Sequence, residues 1–210
     1  MISYEQRLRR SPQAVFEEAS LYFMQQGDLY KALRNLIECL EAAEIPYALI
    51  GGLALAQHGF VRMTDDIDIL LTPAGLATFK EKALGRGYVL AFKDAAKTFR
   101  DTDTGVRIEV ITTGEYPGDG LPKAIMFPDP AEASTMTKGD FRVVTLAKLV
   151  ELKLASGMTA PHRRRDLADV QDLIRVLDLA QSFADQLDPS VKRLYLQLWQ
   201  ELQAANNEER

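Results

Sequence analysis

Two aspartates spaced two residues apart lie in an otherwise apolar segment of the chain. The segment reads Asp66-Ile67-Asp68-Ile69-Leu70-Leu71. On a β-strand, residues two apart point to the same face, so both carboxylates would share one face while the other face is buried. Carboxylates held this close repel each other, and a divalent metal with oxygen ligands is the usual compensating group. A solvated edge strand is the alternative interpretation.

A pair of glycines, Gly51-Gly52, precedes the two aspartates. The pair stands between a predicted strand, 47–50, and a predicted short helix, 53–58. A glycine turn lets a phosphate approach the backbone closely, and the N-terminus of a helix attracts anions. A glycine pair alone is more often an ordinary tight turn. Together with the acids, it indicates a site for metal, phosphate and a nucleotide.

A third acid, Glu109, lies on the predicted strand 106–111. Ile108 and Val110 would face the core, which leaves Arg107 and Glu109 on the opposite face. Three acids from two strands could hold two Mg²⁺ ions about 3.5–4 Å apart, which would polarise the α-phosphate of a nucleoside triphosphate and activate an attacking hydroxyl. Carboxylate and water ligands favour Mg²⁺ or Mn²⁺ over Zn²⁺. A surface glutamate paired with neighbouring charges is the alternative.

Charged residues of the C-terminal half form a second candidate cluster. Lys153 lies on a predicted helix, 145–156, and Asp166 and Asp169 lie near the start of the next one, 163–177. On their own, these residues fit a lysine that extends along an apolar surface and a helix start at which the helix dipole favours acids.

The order of predicted elements indicates N-terminal helices, a mixed αβ core and C-terminal helices. We predict three regions with these boundaries: 1–45, 46–144 and 145–210. Periodicity and turn residues predict five strands and seven helical segments. The strands are 47–50, 66–71, 88–92, 98–101 and 106–111. Six of the helices are 11–26, 53–58, 73–84, 145–156, 163–177 and 189–205, and the seventh is capped by Asp28 and has an apolar stripe from Leu29 to Leu40. A break is predicted at 157–161, and 113–130 reads as a surface loop.

Composition excludes several classes of protein. The chain has 210 residues, 47% of them hydrophobic, which suffices for a core. The formal net charge of −5 gives no global basic field, which disfavours a sequence-specific DNA-binding protein but allows a nucleotide or a locally docked RNA. A single cysteine, Cys39, excludes an internal disulfide and fits the cytoplasm. Residues 1–10 lack the apolar core of a signal peptide, and no stretch is long enough to span a membrane.

The combined pattern resembles the nucleotidyltransferase superfamily, which has the polymerase-β-like fold. The similarity covers about residues 46–177 and rests on Gly51-Gly52, Arg62 and Asp66-Ile67-Asp68. It is especially similar to a small bacterial branch that includes the AbiEii-type toxins. That branch has a lysine followed by an Arg-Asp-Leu-x-Asp-Leu motif, which stands here as Lys153 and Arg165-Asp166-Leu167-Ala168-Asp169-Val170.

The resemblance implies an α/β (α+β) fold, with a mixed β-sheet nucleotidyltransferase core between N-terminal helices and a C-terminal helical region. It implies transfer of a nucleoside monophosphate, with Mg²⁺ or Mn²⁺, from a nucleoside triphosphate to a hydroxyl of RNA, protein or a small molecule. An antitoxin or a second copy of the chain would be a partner. The implied catalytic metal ligands are Asp66, Asp68 and Glu109, and the implied nucleotide-binding residues are Gly51, Gly52, Lys153 and Asp166.

Two other functions fit the sequence. One is an inactive nucleotidyltransferase fold that serves as a binding or antitoxin-like module. The other is an interaction protein whose terminal helices, 11–26 and 189–205, pair with another chain. The three acids favour the enzyme, because an inactive module gains nothing from keeping mutually repelling carboxylates together.

Overall fold

The computed structural model describes residues 3–8, 11–23, 26–137 and 140–208. Within them the chain forms seven strands, eight α-helices and two short 3₁₀ turns, Pro161–Arg163 and Gln181–Gln186. The strands are β1 Tyr47–Leu49, β2 Asp66–Leu71, β3 Tyr88–Leu90, β4 Thr98–Asp101, β5 Arg107–Thr112, β6 Ser134–Met136 and β7 Arg142–Val144. The helices are α1 Tyr4–Leu8, α2 Pro12–Phe23, α3 Gly27–Ala42, α4 Gly51–Gln57, α5 Pro73–Ala83, α6 Leu146–Thr159, α7 Arg164–Val176 and α8 Pro189–Glu208.

The strands form one mixed sheet in the order β3-β4-β5-β2-β1-β7-β6. Strand β2 lies near the centre, antiparallel to β1 and parallel to β5. Alternation along β2 buries Ile67 and Ile69 almost completely and leaves Asp66 and Asp68 on the other face. Because β2 is a central strand, the two acids lie in the middle of one face of the sheet. The alternative of a solvated edge strand is therefore excluded.

One face of the sheet is closed by helices with apolar stripes. Helix α3 buries residues at helical spacing, among them Leu29, Leu33, Leu36 and Leu40. Phe79 of α5 is 1% exposed and stacks edge-to-face on two aromatic rings of the sheet, Tyr88 and Phe99, each at a centroid distance of 5.2 Å. Burying one such side chain contributes about 1.5–3 kcal/mol. Packing on this face therefore stabilises the sheet, while the opposite face carries Asp66 and Asp68.

The structure confirms the predicted fold class, a mixed αβ core between N-terminal helices and a C-terminal helical region. Strand β2 has the bounds that alternation predicted. Thr145 caps α6 as expected, because its hydroxyl accepts a hydrogen bond from the Lys148 amide. The division at residues 45 and 144 stays a prediction.

Several predicted elements were wrong. Helix α4 begins at Gly51 rather than residue 53, so the glycine pair forms the first turn of the helix. The break predicted at 157–161 is displaced, since α6 continues through Gly157 to Thr159. A side chain at Gly157 would meet Leu167 of α7 at 2.5 Å, so this glycine permits close helix packing rather than a turn. Strands β6 and β7, at three residues each, and the five-residue α1 were missed.

Two predictions fall partly on residues that the structure does not describe. The predicted absence of a signal peptide concerns residues 1–10, of which 1, 2, 9 and 10 lie outside the described residues. The predicted helix 11–26 is described as α2 up to Phe23, and residues 24 and 25 lie outside. Among the described helices, none is both long and apolar enough to cross a membrane.

Candidate active site

Three carboxylates meet on the acidic face of the sheet. Strands β2 and β5 run parallel, and their register places Asp66 beside Arg107 and Asp68 beside Glu109. Each of Asp66, Asp68 and Glu109 offers a carboxylate oxygen, and these oxygens lie within 4.8 Å of one another. The structure therefore brings together the three acids that the sequence singled out as metal ligands.

The three acids differ in their protein partners. Asp66 accepts hydrogen bonds from Thr64 Oγ1 at 2.9 Å and from Arg107 Nη2 at 2.5 Å. Within the described part of the chain, neither the Asp68 carboxylate nor the Glu109 carboxylate forms a hydrogen bond or an ion pair. The sequence pattern suggested a metal as the group that compensates the negative charge of the acids. Arg107 supplies part of that positive charge.

Burial and like charges act together on Asp68. Burial raises the pKa of its carboxyl to about 7, and the neighbouring Asp66 and Glu109 act in the same direction, whereas Lys153 and Arg107 act against the rise. A carboxylate so disfavoured as an isolated anion gains most from a cation. Three such oxygen donors, two of them without a protein donor, fit a hard divalent ion such as Mg²⁺ or Mn²⁺.

The raised pKa of Asp68 predicts how the stability of the metal-free protein depends on pH. Unfolded, the carboxyl titrates near 3.8; folded, it holds its proton to about pH 7. Between these values the folded state binds more protons, so the free energy of unfolding falls as the pH rises. Urea denaturation in a chelator should show this slope for the wild type and a smaller one for Asp68→Asn. Equal slopes from pH 4 to 7 would contradict the raised pKa.

The start of helix α4 is shaped around Asp68. Gly51 has a φ of +63°, and a Cβ there would lie 1.9 Å from Asp68 Oδ2. Only glycine leaves room for this carboxylate in that backbone conformation. Gly52 faces the other way: it is buried, and a Cβ there would lie 2.8 Å from Thr64. Gly51 therefore lines the acidic cleft, while Gly52 serves close packing behind it.

Replacing Gly51 should damage the acid cluster specifically. Gly51→Ala should displace the Asp68 carboxylate and weaken Mn²⁺ binding by about tenfold or more, as a misplaced ligand does. Gly85→Ala is the matched control, because Gly85 has a φ of +74° and no atom within 4 Å of its Cβ position. Both variants carry the backbone strain, and only Gly51→Ala should lose Mn²⁺ affinity in a calorimetric titration. Equal losses of Mn²⁺ affinity in the two variants would show that backbone strain, rather than displacement of the Asp68 carboxylate, causes the effect.

A second charged cluster joins helices α6 and α7. The ammonium group of Lys153, a residue 6% exposed, lies 2.6 Å from Asp169 and 3.0 Å from Asp166. Asp166 also accepts a hydrogen bond from Ser156 Oγ at 2.6 Å. Asp169 is shared with Arg62, whose two nitrogens lie 2.9 and 3.2 Å from its oxygens. This network fixes the lysine head group, and its charge reaches the acid cluster, where it opposes the rise in the pKa of Asp68.

The two clusters face one cleft of about 400 Å³, within the range of small-molecule sites. The loop between β5 and β6 closes one side of it. There Gly118 packs against Ser156 and Thr159 of α6, and Lys123 Nζ lies 3.3 Å from the Thr159 hydroxyl. The cleft is lined by Gly51, Arg62, the three acids, Arg107, Lys153, Asp166 and Arg163, with an apolar wall that includes Ile111, Phe127, Leu149 and Leu152.

The sequence predicted the three acids, Lys153 and Asp166 as site residues but indicated no bonding role for Arg107, Asp169, Ser156 or Arg62. Arg107 precedes Glu109 by two residues, so period-two alternation already put it on the acidic face. Asp169 follows Asp166 by three, and so shares its face of α7. Ser156 follows Lys153 by three on α6, the same signal. Arg62 stood in the motif without a role, because its pairing with Asp169 spans more than one hundred residues.

Comparison with known proteins gives only distant similarity. The sequence matches no family model and no curated protein. The solved structure of ANT(2'')-Ia in complex with adenylyl-2''-tobramycin is 13% identical, with a TM-score of 0.49 over 77% of this chain and 95% of that one. A putative nucleotidyltransferase from Thermotoga maritima, TM1012, is 18% identical, with a TM-score of 0.44 over 66% and 94%. Both TM-scores lie below 0.5, so neither structure establishes a family or an activity for this chain.

Proposed function

We propose that the chain is a Mg²⁺- or Mn²⁺-dependent nucleotidyltransferase, which moves a nucleoside monophosphate from a nucleoside triphosphate to a hydroxyl. One observation carries the proposal. Carboxylates of Asp66, Asp68 and Glu109 converge within 4.8 Å on the floor of a cleft that also holds the buried Lys153. Acids for a divalent cation and a lysine for phosphate oxygens form the two halves of a site for a metal-bound triphosphate.

The three carboxylates would hold the metal. Asp66 and Asp68 would provide the shared ligands, and Glu109 would be the ligand on the side of the acceptor. When bound, the metal would supply charge stabilisation at the phosphates of the triphosphate.

The triphosphate would lie between the start of α4 and helix α6. The first turn of a helix leaves backbone N–H groups without partners inside the helix, so the amides at Gly51 and Gly52 could face phosphate oxygens. Lys153 would bind the oxygens of the leaving pyrophosphate. Asp166 and Asp169 hold the lysine in position, at 3.0 and 2.6 Å from its nitrogen.

Glu109 would accept a proton during transfer. As the acceptor oxygen bonds to the α-phosphorus, its proton passes to the Glu109 carboxylate, and the bond from the α-phosphorus to the bridging oxygen breaks. Pyrophosphate leaves with the electron pair of that bond. Glu109 suits this role because it lines the cleft and its carboxylate forms no hydrogen bond or ion pair with the other described residues.

The acceptor, the cellular role and the partners are further parts of the proposal. RNA, protein and a hydroxylated small molecule are the acceptor classes that we propose to test. Membership of the AbiEii-type branch, a toxin role, an antitoxin or second-copy partner and a cytoplasmic location stay predictions from the sequence.

A transfer assay tests the proposal. The protein is incubated with each α-labelled triphosphate, Mg²⁺ and, separately, total RNA, cell protein and aminoglycosides. We expect label in one acceptor class and equimolar release of pyrophosphate, and neither product from Asp66→Asn/Asp68→Asn. A wild-type protein that binds no triphosphate and labels nothing would instead be an inactive binding module.

A further inference from the structure

Asp66 differs from the other two acids because each of its carboxylate oxygens already accepts a hydrogen bond. Thr64 Oγ1 donates to Oδ1 at 2.9 Å, and Arg107 Nη2 donates to Oδ2 at 2.5 Å. Each of these oxygens keeps a second lone pair, so a cation held by all three acids would bind Asp66 beside the donors already there. The threonine hydroxyl is neutral and can rotate away. Arg107 carries the same sign of charge as the ion, so it is the group that competes with the metal.

Arg107 has a second carboxylate within reach. Its Nε is buried without a hydrogen-bond partner, and Glu5 Oε1 of helix α1 lies 3.9 Å away. A shift of about 1 Å would bring this pair to hydrogen-bond distance. Glu5 is itself only 14% exposed at its side chain and is held by Arg100 at 3.0 and 3.4 Å. The guanidinium thus lies between two carboxylates and bonds fully to only one.

Helix α1 is docked on the core around this contact. Tyr4 is 1% exposed, and Arg7 pairs with Asp28 at 2.6 Å and donates to the Thr104 carbonyl at 2.9 Å. An open cleft beside the acids is lined by Glu5 and Leu8 of helix α1 and by Asp66 and Asp68 of strand β2, among other residues. Arg107 therefore links the position of α1 to the hydrogen bonding of the Asp66 carboxylate.

We propose that Arg107 is a positioning residue that moves from Asp66 toward Glu5 when the metal binds, which couples metal binding to the docking of helix α1. The inference rests on the proposed metal-dependent function. A divalent ion at Asp66 repels the guanidinium, and Glu5 receives it. Because coupling between two sites is reciprocal, a firmly docked α1 in turn favours the metal-bound state.

The coupling predicts opposite effects for the two partners of one ion pair. Arg107→Gln removes the competing charge and should raise Mn²⁺ affinity about fivefold or more. Glu5→Gln leaves Arg107 with Asp66 as its strong partner and should lower the affinity by a similar factor. The double variant should behave as Arg107→Gln, because in this coupling Glu5 affects the metal through Arg107 and not through its bond to Arg100. A merely structural contact would weaken Mn²⁺ binding in both single variants.

Calorimetric titration of the full chain with Mn²⁺, without triphosphate, tests this, with Arg86→Gln and Glu38→Gln as exposed charge controls. Hydrogen exchange of α1 amides gives a second readout: Mn²⁺ should slow it in the wild type and not in Arg107→Gln. Affinity changes of the same sign, or unchanged exchange in the wild type, would overturn the coupling alone. A wild type that binds no Mn²⁺ would overturn both the coupling and the metal-dependent function.

Discussion

Glu109→Gln should lower the rate of nucleotide transfer by about a thousandfold, in the range expected for losing a general base. The amide cannot accept the proton of the acceptor hydroxyl at neutral pH. Triphosphate affinity should stay within about threefold of the wild type, because only the chemical step needs the activated hydroxyl. Single-turnover transfer from a pre-bound labelled triphosphate measures the rate, and equilibrium titration with a non-hydrolysable analogue measures the affinity.

The matched control for this variant is Glu115→Gln. Glu115 follows the same strand and pairs with Lys97, with a side chain 49% exposed and outside the residues that line the cleft. This variant should transfer at the wild-type rate. Lost triphosphate affinity together with normal turnover at saturation in Glu109→Gln would place Glu109 in the nucleotide pocket and remove it from proton transfer.

Lys153→Met should lose both stability and triphosphate binding. The Asp166 and Asp169 side chains are 17% and 3% exposed, and the lysine is their shared partner. Removing one partner of a buried ion pair typically costs about 3–5 kcal/mol, because it leaves a buried charge uncompensated. Asp169 keeps Arg62, so we expect the lower end of that range in urea denaturation. Triphosphate affinity should fall by at least tenfold, since the phosphates lose a charged donor.

A double variant separates these two effects. Lys153→Met/Asp166→Asn removes a carboxylate along with the lysine, so it should recover much of the stability and none of the triphosphate affinity. Lys148→Met is the control on the same helix, because Lys148 pairs with Glu151 and does not line the cleft. Recovery of triphosphate binding in the double variant would show that Lys153 only supports the fold.

The parts of the site that alternation governs could be predicted from the sequence. Strand β2 has the bounds expected from its pattern, and period two placed Asp66 and Asp68 on one face. The same rule put Glu109 on the acidic face of β5. The meeting of these acids also depends on the parallel pairing and register of β2 and β5, which alternation does not supply. Local pattern and a single pairing of strands were sufficient for the three carboxylates.

Contacts between elements distant in the chain could not be predicted in this way. The bond from Arg107 to Asp66 depends on the register of two strands forty-one residues apart, and the pair of Arg62 with Asp169 joins residues one hundred and seven apart. The sequence around Gly157 predicts a helix break, although this glycine permits close packing against Leu167. A glycine has the same sequence signature in both settings, and only the packed neighbour tells them apart.

The most direct test of the central claim is whether the acid cluster binds a divalent cation that the triphosphate requires. A non-hydrolysable triphosphate analogue is titrated into the wild type and into Asp66→Asn/Asp68→Asn, with and without Mn²⁺, while thermal unfolding confirms that both are folded. We expect Mn²⁺ to strengthen binding of the analogue to the wild type by at least tenfold and to have no such effect on the variant. Equal Mn²⁺ dependence in the two proteins would contradict the assignment of these carboxylates as the metal site.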